Sequence, residues 1–199
     1  MKIDSDGIIF VHFPKTGGTS ISMSMLKRKG VEISDQYRLL SDSIQSKYFI
    51  GPEERHLTAA DWADSAHSNY YKFSIIRHPF DLVVSKYNYI HKAYDEALAE
   101  TPSDSETLDH IIQHGTMKQF VTGVDDVYCF DQLSRVFDSA LDFSLEHLHM
   151  KRANDSSDQI TTLTPELKAF ALEHFAEDFV HFGFDSDQIS VPTKNCTRL

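Results

Sequence analysis

Residues 11–20 read VHFPKTGGTS, preceded by GIIF (7–10) and followed by ISMSML (21–26). The run IIFVHF (8–13) is almost continuously apolar, the pattern of a strand in a sheet covered on both faces. TSISMSMLKRKG (19–30) reads as a helix ended by Gly30. Between them lie a proline, a lysine and two glycines. Gly17 and Gly18 let the backbone turn sharply and approach a ligand. The N–H groups opening the helix point outward, and with the helix dipole they favour an anion. Thr16, Thr19 and Ser20 add hydroxyls, and Lys15 places a full positive charge where a leaving group would turn negative. The turn is not the nucleotide-binding G-x-x-x-x-G-K-[ST] loop, because Lys15 precedes both glycines instead of following the last.

The same logic recurs downstream. YKFSIIR (71–77) is a second buried strand, and PFDLVVSKYNYIHKAY (79–94) a helix with Pro79 in its first turn. Strand, tight turn and helix, twice over, predict an α/β fold with a central parallel sheet. Arg77 closes the second strand at the carboxyl edge, where ligands of open α/β sheets gather. Its guanidinium fork suits a phosphate, although for a strand-end arginine taken alone an ion pair with a helix carboxylate such as Asp81 is the commoner use. Ser85 lies about two turns into the helix. Two anion half-sites at strand ends point to a nucleotide with two separated phosphate groups.

The rest of the chain fills out a single domain over residues 1–199, without repeats or linkers. YFI (48–50) and VYCF (127–130) read as strands, and Thr58 with Asp61 as a capping box opening a helix. Residues 107–121 look helical up to Gly115, and DQLSRVFDSALDF (131–143) helical throughout. Thr164 caps a long final helix over 164–184. KRANDSSDQ (151–159) is a polar loop whose Lys151 and Arg152 are placed to close over a ligand.

Composition sets limits. The chain of 199 residues is 41% hydrophobic and 25% charged, ordinary for a globular domain. A net charge of −11 argues against nucleic acid or another extended polyanion as partner, but leaves room for a small anion held by local cations. No run is long enough to span a membrane, and the N-terminus lacks a signal-peptide pattern. A cytoplasmic location with Cys129 and Cys196 reduced is the expectation.

FVHFPKTGGTSI and YYKFSIIRHPFDLVVSKY together resemble the sulfotransferases that use 3′-phosphoadenosine 5′-phosphosulfate (PAPS), in particular the branch with carbohydrate sulfotransferases and their bacterial relatives. RHLTAADWAD, VYCFDQL and the closing helix extend the similarity over residues 8–184. The resemblance implies a P-loop-like sulfotransferase fold. It also implies that Lys15, Thr16, Gly17, Gly18, Thr19 and Ser20 bind the 5′-phosphosulfate, and that Arg77 and Ser85 bind the 3′-phosphate. The desulfated product would be 3′-phosphoadenosine 5′-phosphate (PAP). Two positions depart from the pattern: His78 stands where asparagine is common, and Leu82 where a basic residue is.

Sulfuryl transfer to a hydroxyl needs a base. His56 lies between the half-sites in sequence, just before the Thr58-capped helix, whose N-terminus disfavours imidazolium. The similar family stretch also carries a histidine. His110 and His114 are spaced i, i+4 without the glutamate of a zinc motif. His147 and His149 lack a third ligand, so no metal is expected. His12 is expected to pack beneath the loop. The predicted activity is sulfuryl transfer from PAPS to a hydroxyl of a carbohydrate or small molecule. A nucleotide kinase and an inactive nucleotide-binding module are the alternatives, and oligomeric state is open.

Overall fold

The computed structural model describes residues 1–31, 56–63, 66–97, 100–130 and 162–188. The chain divides into two compact units: Met1–Ile76 with Phe120–Ala153 and Cys196–Leu199, and Arg77–Gln119 with Asn154–Asn195.

The first unit holds a four-stranded sheet in the order β1 (Lys2–Ile3), β2 (Ile8–Val11), β3 (Tyr71–Ile76), β4 (Asp126–Cys129). β1 pairs antiparallel with β2, across a single 3-10 turn that ends at Gly7 in the left-handed region. β2, β3 and β4 are parallel, with Phe10 beside Phe73 and Ile75 beside Tyr128. The expected α/β class with a central sheet is therefore present, its parallel part edged by one short antiparallel strand.

Alternation decides what each strand residue touches. Phe10, Phe73, Ile75 and Tyr128 share a face and form a core cluster with Ile21, Met25 and Leu26 of α1 (Gly18–Arg28). Phe10 is completely buried, a contribution of roughly 1.5–3 kcal/mol for such a side chain. On the opposite alternation Ser74 is buried, and its hydroxyl donates to the Val11 carbonyl at 2.6 Å. That bond removes the cost of an unsatisfied polar group in the sheet. Lys27 and Arg28 close α1 where the dipole favours cations. The short α2 (Ala59–Ala63) is anchored by buried Trp62.

The second unit contains α3 (Pro79–Glu96), α4 (Asp104–Ile112), the start of α5 (Met117–Val121), α6 (Pro165–His174) and α7 (Ala176–Phe182). α4 begins before residue 107 because Ser103 and Glu106 form a reciprocal capping box. Gly115, at φ 69°, separates it from α5.

The expected single closing helix is two. At Phe175 (φ −113°, ψ 22°) the Asp178 N–H reaches back only three residues, to the Phe175 carbonyl at 2.9 Å, a tighter step than an α-helix makes. Beyond the break Asp178 is fully buried and accepts from the Met117 N–H at 3.0 Å and the Lys118 N–H at 2.8 Å.

Cys129 is disulfide-bonded, contrary to the expectation of two reduced thiols. The strand at 48–50, the helix at 131–143, the loop at 151–159, and His147, His149 and Cys196 lie outside the described residues. Among the described residues no helix is long and apolar enough to cross a membrane.

Candidate functional site

The segment between β2 and α1 is built around unusual backbone. Lys15 has φ 68°, and it is the one non-glycine residue with positive φ among those described. An L-residue pays about 1–2 kcal/mol for that conformation, which the rest of the loop must hold in place. Gly17, at φ 83° and ψ 13°, takes the N-cap position of α1. Thr16 is fully buried, and its hydroxyl donates to the Phe13 carbonyl at 2.8 Å. That hydroxyl ties the turn together, so what Thr16 offers a ligand is its backbone N–H.

The consequence is a helix start with an unusual electrical character. No side chain caps α1, and no acidic residue stands in its first turn. Three other described helices do otherwise: α3, α4 and α6 each have a capping side chain, and each carries an acidic residue in the first turn. The N-terminal end of α1 therefore keeps its partial positive charge, with Lys15 just before it and Thr19 and Ser20 within its first turn. Such an arrangement holds an anionic group by backbone donors and stabilises charge that develops on it.

His56 is joined to this loop. Its Nδ1 lies 3.0 Å from the carbonyl oxygen of His12. A carbonyl only accepts, so Nδ1 carries the proton and the neutral ring keeps its lone pair on Nε2. That is the tautomer a general base requires. Immediately downstream, the Thr58 N–H and hydroxyl both donate to the Asp61 carboxylate, at 2.7 and 2.6 Å, and the Asp61 N–H returns a bond to the Thr58 hydroxyl at 3.2 Å. This capping box, legible in the sequence, fixes the chain just beyond His56. The structure thus ties His56 to residue 12, where the segment that carries Lys15 begins, within one unit.

Arg77 and Ser85 fall in the second unit. Arg77 directly follows β3 in the chain and is half-buried, its N–H directed at Met117 Sδ at 3.5 Å. Ser85 is half-buried on α3. Between them, His78 explains one departure noted in the sequence. Its Nδ1 accepts from the Phe80 N–H at 3.2 Å as the N-cap of α3, and its Nε2 donates to the Asp185 carbonyl at 3.1 Å. The ring is packed among Phe80, Phe179 and Phe184. It performs the capping task of an asparagine with a larger apolar body. Leu82, the other departure, is completely buried.

Sequence reasoning missed a buried pair of opposite charges in this unit. Lys86 is almost fully buried, donates to the Ile111 carbonyl at 2.6 Å and lies 5.8 Å from the Phe175 ring centroid. Burial pushes its ammonium down to about 8, with Asp178 pulling the other way. Burial pushes the Asp178 carboxyl up to about 6, opposed by the N–H groups of Lys118 and Met117 and by the charge of Lys86. The available signal was positional: Lys86 stands three and four residues after Val83 and Leu82, and Asp178 between Phe175 and Phe182, each on its helix's apolar stripe. Among the described residues no cluster of histidine, cysteine, aspartate and glutamate is able to hold a metal ion.

No curated protein and no solved structure matches the chain significantly. A sequence model described as the sulfotransferase family matches residues 2–152, which is more than half of the chain and includes β1 to β4, the lysine loop, His56, Arg77 and Ser85. The protein belongs to the sulfotransferase family.

Proposed function

We propose that the chain transfers the sulfuryl group of PAPS to a hydroxyl of a carbohydrate or small-molecule acceptor, with residues 1–199 acting as one functional domain. The observation that carries this reading is the start of α1, entered through left-handed backbone at Lys15 and Gly17 and lacking both a capping side chain and an acid. The backbone N–H groups of residues 16–19, with the hydroxyls of Thr19 and Ser20, hold the 5′-phosphosulfate end. Arg77 and Ser85 bind the 3′-phosphate.

In the transfer, the acceptor oxygen attacks sulfur while its proton passes to His56 Nε2. The new O–S bond forms as the bond from sulfur to the bridging phosphate oxygen breaks. The electron pair leaves on the 5′-phosphate of PAP, and the Lys15 ammonium stabilises it there. No metal enters the scheme, because lysine and the helix start supply the compensating charge. An uncharged sugar or metabolite fits a chain of net charge −11 better than a heavily sulfated polymer does. The cytoplasmic location favoured by composition is set against the bonded Cys129, since such bonds persist in oxidising compartments.

Calorimetry with PAP, ATP and ADP, with and without Mg²⁺, tests the donor. Metal-independent preference for PAP is expected, whereas Mg²⁺-dependent preference for ATP would return the site to a kinase. A screen of hydroxylated acceptors with PAPS then separates an enzyme from a nucleotide-binding module.

A further inference from the structure

The imidazole of His12 is wedged between the base and the loop. Strand alternation puts it on the same face as Phe10, and the two rings stack with centroids 5.4 Å apart at 20°. Phe10 stacks in turn on Phe73 in the core, so one side of the imidazole is anchored. A second side lies on the backbone of Gly18. A Cβ at residue 18 would come 1.8 Å from His12 Nε2, 2.0 Å from Cδ2 and 2.3 Å from Cε1. Gly18 is not among the glycines with positive φ. The need for glycine here therefore comes from the histidine ring, not from the backbone angle. A third side faces the ring of His56, with centroids 4.7 Å apart and planes at 53°. The carbonyl of the same residue 12 accepts from His56 Nδ1.

We infer that the His12 side chain is a positioning residue, registering the base His56 against the first residue of α1. Its effect on turnover rests on the sulfotransfer reading; the contact itself does not. The backbone bond from His56 Nδ1 fixes one atom of the imidazole, and packing against the face of the ring sets its tilt. The His12 ring, held from behind by Phe10, sets that tilt and with it the direction of Nε2. Gly18 is small so that the ring fits.

The test uses the full chain with His12→Ala, Gly18→Ala and the double variant. Turnover with PAPS, calorimetric affinity for PAP, and nitrogen-15 NMR of the histidine rings are the readouts. Misplacement of a reacting group by an ångström costs about a hundredfold in rate. His12→Ala is therefore expected to lower kcat at least about tenfold while PAP affinity changes by less than about threefold. Gly18→Ala, which must expel the ring, is expected to lower kcat comparably. The double variant should then be no worse than the poorer single one, because both remove the same support.

In NMR, His56 of the parent should show a protonated Nδ1; both single variants should keep that tautomer, because the carbonyl of residue 12 remains, while the His56 ring signals move as the neighbouring imidazole is lost or expelled. If His12→Ala does not fold, His12→Leu, which refills the space against Phe10, carries the same expectations. Unchanged kcat, a loss confined to PAP affinity, or additive losses in the double variant would overturn the inference. A parent protein that neither binds PAP nor transfers sulfuryl groups would overturn the functional reading instead. The NMR comparison would then decide the His12 contact alone, His56 ring signals unmoved in both variants refuting it.

Discussion

Lys15→Gly separates what the lysine costs the fold from what it gives the reaction. At φ 68° the lysine backbone sits in the region that L-residues avoid, a penalty of about 1–2 kcal/mol. Glycine adopts that angle freely but loses more backbone entropy on folding, by about 0.5–1 kcal/mol. The difference leaves Lys15→Gly between unchanged and about 1.5 kcal/mol more stable than the parent. For a chain of this size the upper end corresponds to a rise in Tm of about 3–6 °C. Lys15→Ala keeps the strained backbone and gains nothing. Both variants lose the ammonium beside the start of α1. Removing a single preorganised electrostatic donor costs about a hundredfold to a thousandfold in kcat, and a comparable fall in turnover is expected here.

The stability arm is read from urea midpoints at constant m-value, and the turnover arm from PAPS-dependent transfer. Destabilisation of Lys15→Gly by more than 1 kcal/mol (roughly, on the same scale) would refute the strain argument. Turnover surviving in both variants would refute the role given to the charge. The two arms fail independently, since one concerns backbone and the other the side chain.

The remaining predictions concern the second unit. His78→Leu keeps the ring's apolar contacts but removes the cap on α3 and leaves the Asp185 carbonyl without its donor; a loss of about 2 kcal/mol is expected, one for the cap and one for the bond, and an unchanged urea midpoint would show that neither contributes. For Asp178, a carboxyl raised from 3.8 to about 6 binds more protons folded than unfolded within that window, so its contribution to stability is full below the window and is lost as pH rises through it. The stability of the parent relative to Asp178→Asn should therefore shrink from pH 3.8 towards pH 6, and a difference that is flat or grows with pH would contradict the burial argument.

What the sequence revealed was whatever short-range rules control. The apolar run of β2, the glycine turn and α1 follow from neighbours along the chain, and so does the Thr58–Asp61 box. Residue types alone do not announce φ 68° at Lys15, a side-chain-bearing residue in the region that glycine favours. Other hidden features depended on distant partners. The break at Phe175 comes with an inward turn of Asp178 that satisfies N–H groups 60 and 61 residues earlier. Residue pattern showed an uninterrupted amphipathic stretch there, since a single buried aspartate barely disturbs it. Arg77 and Ser85 were named from their place after a strand and on a helix, and that local placement is present.

Histidine shows most sharply where sequence stops and geometry takes over. In the sequence His12, His56 and His78 are alike, each near a strand end or helix start. Their hydrogen bonds set them apart. His78 accepts at Nδ1 and donates at Nε2, both to backbone, so protonating it would break the cap on α3. His56 has the opposite tautomer, with the proton on Nδ1 directed at the His12 carbonyl and the lone pair on Nε2. A proton taken up at Nε2 leaves that bond intact and makes its donor cationic, which strengthens it. Of these two, only His56 is able to gain a proton during a reaction without giving up the contact that positions it. His56 suits the proposed role of base because its anchoring bond is compatible with both charge states.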